Sequence, residues 1–237
     1  SIIKSPQGFE NVNAVFSSSD VTSDDNVKFG GIFQFTTNTL SSRTVSRHSN
    51  KYGWFTSQTM TGRNGKMLTA ITAYRVTSCT SGSASAYAQQ RAMLVTEGRS
   101  SDPRTEMLND LTAYILQCQD SGHDILLCID ANESMSKCTS KIRCLASTCN
   151  LLDVHTNLHP NQPTVPSFIR GSEKIDFCLA TPHILECITR SGILVIDDAY
   201  MSDHRTMFLD LDIQRYFNGI TPDPVGRHTR SFTTKNK

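Results

Sequence analysis

The sequence carries almost no net charge. Its 23 lysines and arginines against 22 aspartates and glutamates leave +1 over 237 residues, so no chain-wide field draws it to polyanions. Any such partner must be met by a local patch. No two of its eight cysteines, at 79, 118, 128, 138, 144, 149, 178 and 187, have C-x-x-C spacing, which excludes a zinc knuckle and a two-cysteine redox motif. No apolar run approaches the roughly 20 residues that a membrane span requires, and no signal-peptide pattern or internal repeat is present.

What is present is the composition of a soluble globular protein: 38% hydrophobic, 19% charged, a length for one sizeable domain or two small ones. Cys128 and Cys178 sit inside apolar runs, where a thiol behaves as a small hydrophobe. This favours a reducing, intracellular compartment, nuclear or cytoplasmic. The chain opens on Ser1 rather than Met, which is read as a true start lying upstream.

The first 28 residues are polar, with one strand-like patch at Val12, Ala14, Val15 and Phe16. After Gly30-Gly31 the alternating Ile32-Phe33-Gln34-Phe35 predicts a strand, as do residues 54–60 and 67–76, with Asn64-Gly65 between them as a hairpin signal. Residues 86–96 read as helical. Ser101-Asp102-Pro103 opens a second helix whose Met107, Leu108, Leu111, Ile115 and Leu116 make one apolar face, closed near Gly122. The run Asp124 to Asp130 predicts a strand buried on both faces, and Ile142, Leu145 and Cys149 a short helix. Further strands are expected at 175–180, 193–197 and 207–212, with residues 213–237 as a basic, loosely ordered tail or linker. These elements predict an α/β or α+β sandwich of two packed sheets covered by helices.

Acids occupy costly places in this pattern. Asp130 ends an apolar strand and is followed by Ala131-Asn132-Glu133; Asp176 lies within the strand KIDFCLA; Asp203-His204 follows the apolar run at 193–196. Carboxylates at such positions call for a metal or a cationic partner. Singly, each has a plainer explanation: Asp130 as a helix cap, Lys174 paired with Asp176, Asp203 as a turn former, His204 as a core histidine. Together they suggest convergence on a cation.

The ordered series AYRV (73–76), LLCIDANES (126–134), PSFIRGSEKIDFCLAT (166–181) and SDHRTMFLDLD (202–212) resembles the exonuclease–endonuclease–phosphatase superfamily. With Tyr87-Ala88-Gln89-Gln90, it is most similar to endonuclease domains linked to eukaryotic retroelements, over roughly residues 29–212. The resemblance implies a four-layer αββα sandwich of two mixed sheets and metal-assisted hydrolysis of a phosphoester, with Mg²⁺ or Mn²⁺ as cofactor and the DNA backbone as partner. It implies that Asp130 aligns or activates water, that Asn132 holds a phosphate oxygen, and that Asp176 orients His204. It makes Asp203 a metal ligand and puts Tyr74 near the scissile phosphate. Arg170 and Lys174 become backbone contacts, and Arg205 either touches phosphate or is solvated.

Two departures stand out. Ile129 replaces the glycine usual before the first acid, with Ala131 after it. The two opening motifs, a strand ending in Asn and one ending in the metal-binding Glu, are absent: Glu10 has no apolar strand before it. The expectation is therefore an N-terminally truncated domain over 1–212. It is a fragment of a longer reading frame, a decayed element that no longer cuts, or a chain using Asp20, Asp24 or Asp25 instead. A phosphatase or phosphodiesterase of the same fold, acting on a non-DNA substrate, is the competing enzyme.

Overall fold

The computed structural model describes residues 12–18, 31–78, 85–99, 102–196 and 202–217. Its centre is a six-stranded sheet. The order across it is β3 (Thr44–Ser49), β4 (Phe55–Thr61), β5 (Met67–Tyr74), β6 (His123–Asp130), β8 (Asp176–Ala180) and β7 (Leu152–Asp153). All neighbours are antiparallel except β5 and β6, whose parallel register runs from Met67 opposite His123 to Tyr74 opposite Asp130. A parallel pair needs a long crossover. It is supplied by the helices α2 (Ala86–Thr96) and α3 (Pro103–Asp120). Asp102 caps α3 by accepting from Arg104 N and Thr105 N, and Gly122 follows its end with φ +79°, a left-handed conformation that glycine adopts without strain.

The alternation along the strands sorts the core into two faces. Ile71, Ile125, Leu127, Ile129, Phe177 and Leu179 pack on Leu111 and Ile115 of α3 and on Ile142 and Leu145 of α4 (Lys141–Thr148). Ile129, which departs from the glycine of the resembled family, is thus absorbed into the helix-side core. On the other face Leu68, Leu126, Cys128, Cys178 and Ala180 meet Met207, Leu209 and Leu211 of β10 (Met207–Leu211).

The second layer over that face consists, among the described residues, of two separate antiparallel pieces. One joins β1 (Val12–Ser17) to β2 (Ile32–Thr37); the other joins β10 to β9 (Ile188–Ile193). The first sits on the central sheet through polar groups: Gln34 Nε2 donates to Ala70 O (3.1 Å), and Gln58 Nε2 donates to Asn13 O and Gln34 O (3.2 Å each). No helix of the described residues is long and apolar enough to cross a membrane.

Three expectations shift. The helix α1 (Asn38–Arg43) and the edge strand β3, TVSRHS, carry no apolar alternation and were not foreseen. The strand expected at 193–197 runs earlier, over 188–193, because Met207 pairs with Ile193 and the register extends backward from there. Beyond the short helices α5 (Val154–Leu158) and α6 (Pro182–Leu185), regular structure also continues past 212 as α7 (Ile213–Tyr216), whose Asp212 cap accepts from Arg215 N. Tyr216 and Phe217 are fully buried against Met60 and Leu68, so burial of two aromatics outweighs the polar composition of the C-terminal sequence. Glu10, Asp20, Asp24, Asp25 and residues 218–237 lie outside the described residues.

Candidate active site and metal centre

The β6–β8 ladder brings the acids together. Ala131 N donates to Ile175 O (2.9 Å) and Thr181 N to Ile125 O (3.0 Å), which puts the odd-numbered residues of β6 at hydrogen-bonded positions. Asp130 opposite Asp176, and Cys128 opposite Cys178, are therefore the intervening pairs, where Cα atoms come to about 4.5 Å and side chains crowd. Asp130 is no helix cap: its Oδ1 accepts from Asn132 N (3.0 Å) in a tight turn that holds Asn132 at φ +45°, a conformation asparagine tolerates.

His204 reaches the pair from the chain before β10. A bridge between Phe168 and His204 ties that segment to the loop preceding β8, with the two rings 5.0 Å apart. The imidazole Nδ1 donates to Asp176 Oδ2 at 2.9 Å. Asp176 is itself fixed by Ser167, fully buried, whose Oγ accepts from Ile175 N (2.9 Å) and Asp176 N (3.0 Å). The three groups lie in a cleft of about 370 Å³. Its floor is β5, β6 and β8; its rims are Gly31 to Phe33 on one side and His204 to Met207 on the other.

The electrostatics are those of a site short of positive charge. Burial, then the neighbouring Asp176, push the Asp130 carboxyl up to about 6, against the Asn132 N–H, His204 and Arg104. Burial alone would lower the His204 pKa, but the hydrogen bond and charge of Asp176, with Asp130 and Asp203, raise it above its ordinary value. Tyr74 is raised by burial and then by Asp130, with Arg104 and a hydrogen bond to Asn132 acting the other way.

A cation suits this arrangement. Asp130, Asp176 and His204 each offer a ligand atom, all within 4.8 Å of one another. Two carboxylates and an imidazole match Mn²⁺ well, while Mg²⁺ would take the oxygens and keep its waters.

Tyr74, Asp130, Asp176 and His204 share the cleft, and Asn132 adjoins it at the end of β6, with its Nδ2 donating to Arg75 O (2.7 Å). Asp203 is not in the ligand group: its side chain is exposed and its carbonyl accepts from Ile169 N (2.8 Å). Arg170 is exposed on the turn closed by Gly171 N and Phe168 O. Lys174 does not face the cleft. Its side chain is 4% exposed and pairs with both oxygens of Asp153 (3.0 and 2.8 Å), since a buried ammonium needs a close carboxylate. Arg205 stands half-buried on the rim of the cleft, where it donates from Nε to Pro166 O (2.9 Å) and from a terminal nitrogen to Leu194 O (3.3 Å).

Arg75 and Arg104 were missed. Arg75, buried, pairs with Glu133 at 2.5 Å and donates to Arg104 O. Arg104 donates to Val76 O and Asn132 O. Both brace the Asn132 turn through backbone carbonyls, which no spacing in the sequence announces.

No family model and no curated protein matches the sequence. Solved structures do. An AP endonuclease from Archaeoglobus fulgidus superposes with a TM-score of 0.54 at 14% identity, covering 86% of this chain and 80% of that one. The fold is that of the exonuclease–endonuclease–phosphatase enzymes. The same fold is seen in the 3′ phosphatase NExo from Neisseria bound to a product DNA hairpin (0.54, 13%, 85% and 80%). It is seen again in the endonuclease domain of TRAS1, a telomere-specific non-LTR retrotransposon (0.50, 15%, 87% and 82%). In the exonuclease–endonuclease–phosphatase fold as this chain has it, the acid–histidine cluster stands at one end of the central strands, where β6 stops and β8 begins.

Proposed function

We propose that the chain is a metal-dependent phosphodiesterase, a DNA endonuclease domain of a retroelement-type polyprotein. The observation that carries this reading is the group formed by Asp130, Asp176 and His204, paired across a crowded rung and open to a cleft. The likeness to nucleases and a phosphatase of the same fold supports the reaction class.

Asp130 and Asp176 would hold Mg²⁺ or Mn²⁺, which when bound offsets the negative charge building on phosphate oxygens. Asp130, whose carboxyl burial and then Asp176 push up to about 6, would be held ionised by the bound cation and orient the attacking water. His204 is oriented by Asp176, whose hydrogen bond and charge raise its pKa against burial, and as imidazolium it donates a hydrogen bond from Nε2 to a phosphate oxygen. Tyr74 lines the floor and orients the phosphate; Asn132, whose Nδ2 donates to Arg75 O (2.7 Å), would reach a phosphate oxygen only with its remaining Nδ2 hydrogen or after releasing that carbonyl. Arg170, exposed on the loop before β8, contacts the DNA backbone.

The test is nicking of supercoiled plasmid with Mg²⁺ or Mn²⁺. His204→Ala is expected to slow nicking by about 10²- to 10⁴-fold. Equal rates would remove His204 from its role. Retention of DNA without cleavage by the unaltered chain would turn the reading to a non-cutting domain.

A further inference from the structure

Two rungs along from the acid pair, on the same face of the sheet, stand two thiols. Cys128 and Cys178 are opposite one another in β6 and β8, at a non-hydrogen-bonded position by the same ladder pattern that places Asp130 and Asp176. Their sulfurs are 3.6 Å apart and unbonded. A non-hydrogen-bonded antiparallel pair brings Cα atoms to about 4.5 Å, inside the roughly 4.4–6.8 Å window that a disulfide spans. Both cysteines line the cleft. Cys128 is partly exposed there, while Cys178 is 7% exposed beneath the second layer. The remaining described cysteines have no such partner across a rung: Cys138 and Cys144 are exposed, and Cys118, Cys149 and Cys187 are buried on other elements.

We propose that Cys128 and Cys178 are a dithiol site that hydrogen peroxide oxidises to a cross-strand disulfide, reversibly impairing the acid cleft above it. The Cys128 sulfur attacks one peroxide oxygen and the O–O bond breaks. One water leaves with the thiol proton, and Cys128 becomes a sulfenic acid. The Cys178 sulfur then displaces that oxygen, which departs as a second water with the Cys178 proton, and the S–S bond closes. Each sulfur loses one electron and each peroxide oxygen gains one. A bridge closed from a sulfur separation of 3.6 Å across a rung of about 4.5 Å, narrower than the roughly 5.5–6 Å that disulfides prefer, spreads the strands two residues before Asp130 and two after Asp176. The two carboxylates are thereby re-aimed relative to each other and to His204. A thiol donor of lower potential restores the open form.

The functional half rests on the proposed hydrolase reading, so the test has two independent arms. In the first, the chain is treated with hydrogen peroxide, alkylated, digested with trypsin and sequenced by fragmentation. The cleavage sites leave Cys118 with Cys128 in one peptide and Cys178 with Cys187 in another. The expected result is a two-hydrogen mass loss and a link assigned to 128 and 178, reversed by dithiothreitol and absent in Cys128→Ala and Cys178→Ala. Oxidation of Cys138 and Cys144 with no such link would overturn the proposal.

In the second arm, nicking by the linked chain falls at least tenfold and recovers with dithiothreitol, whereas Cys178→Ala, compared with its own untreated rate, resists the treatment. A linked chain nicking at the full reduced rate would overturn the control of the cleft. A reduced chain that never nicks would refute the hydrolase reading and the control built on it, leaving the mapped link to decide the dithiol site alone.

Discussion

Asp130 works against the fold that holds it. Its carboxyl is raised to about 6 by burial and by Asp176, so the folded chain binds this proton more tightly than the unfolded chain does. The associated stability is fully present below the unfolded value of about 3.9 and is lost as pH rises through about 6. Asp130→Asn, which removes the charge and keeps the shape, should therefore stabilise the chain by roughly 1–2 kcal/mol at pH 7.5 and by little at pH 4. Urea unfolding at the two pH values measures it; equal effects at both would show that Asp130 is not strained by its charge. His204 has the matching sign for a base: its raised value lends stability below its unfolded pKa, lost as pH climbs past the folded one.

Asp130, Asp176 and His204 were legible in the sequence because carboxylates in apolar strands are conspicuous. Lys174 was misread because a lysine beside an acid looks solvent-facing until Asp153 is seen to enclose it. Ser167, Arg75 and Arg104 act through backbone atoms of distant segments, and residue type alone carries no trace of that.

Among the elements, those with strong periodicity were readable and those defined by their neighbours were not. The apolar face of α3 and the run of β6 announce themselves. β3 is polar and exists because β4 offers it an edge, and α7 exists because Tyr216 and Phe217 find a place in the core. That place is closely fitted. Gly62, between β4 and β5, faces the Phe217 ring so tightly that an added Cβ would lie 3.0 Å from both Cβ and Cγ of Phe217. Gly62→Ala is expected to destabilise the chain by about 1–3 kcal/mol through overpacking. Thermal melting checks it, and a neutral result would mean that α7 yields freely and contributes little to the core.

For the whole molecule, the acid cluster links ion binding to stability. An ion that binds the folded chain at 100 times its dissociation constant adds about 2.7 kcal/mol, so Mn²⁺ should raise the melting temperature at pH 7.5. The rise should shrink at pH 5, where protons compete for Asp130, and should be lost in Asp130→Asn. A pH-independent rise shared by that variant would place the ion elsewhere. The sandwich itself was legible as a class from many strands with few helices between them. The division of its second layer into β1–β2 and β9–β10 was not, because pairing between sheet pieces leaves no periodic mark.

The parallel contact of β5 with β6 also sets a timetable. β4 and β5 form a local hairpin, but β6 can join only after the chain between Tyr74 and His123 has looped back, and β8 only after a further excursion. Closing such loops costs chain entropy before any contact rewards it, and topologies rich in distant partners assemble slowly. Asp130 and Asp176 are neighbours only once both excursions are complete, and His204 arrives last along the sequence. On refolding from denaturant, helical signal should return ahead of metal-dependent protection, so a newly made chain is shaped before it is armed.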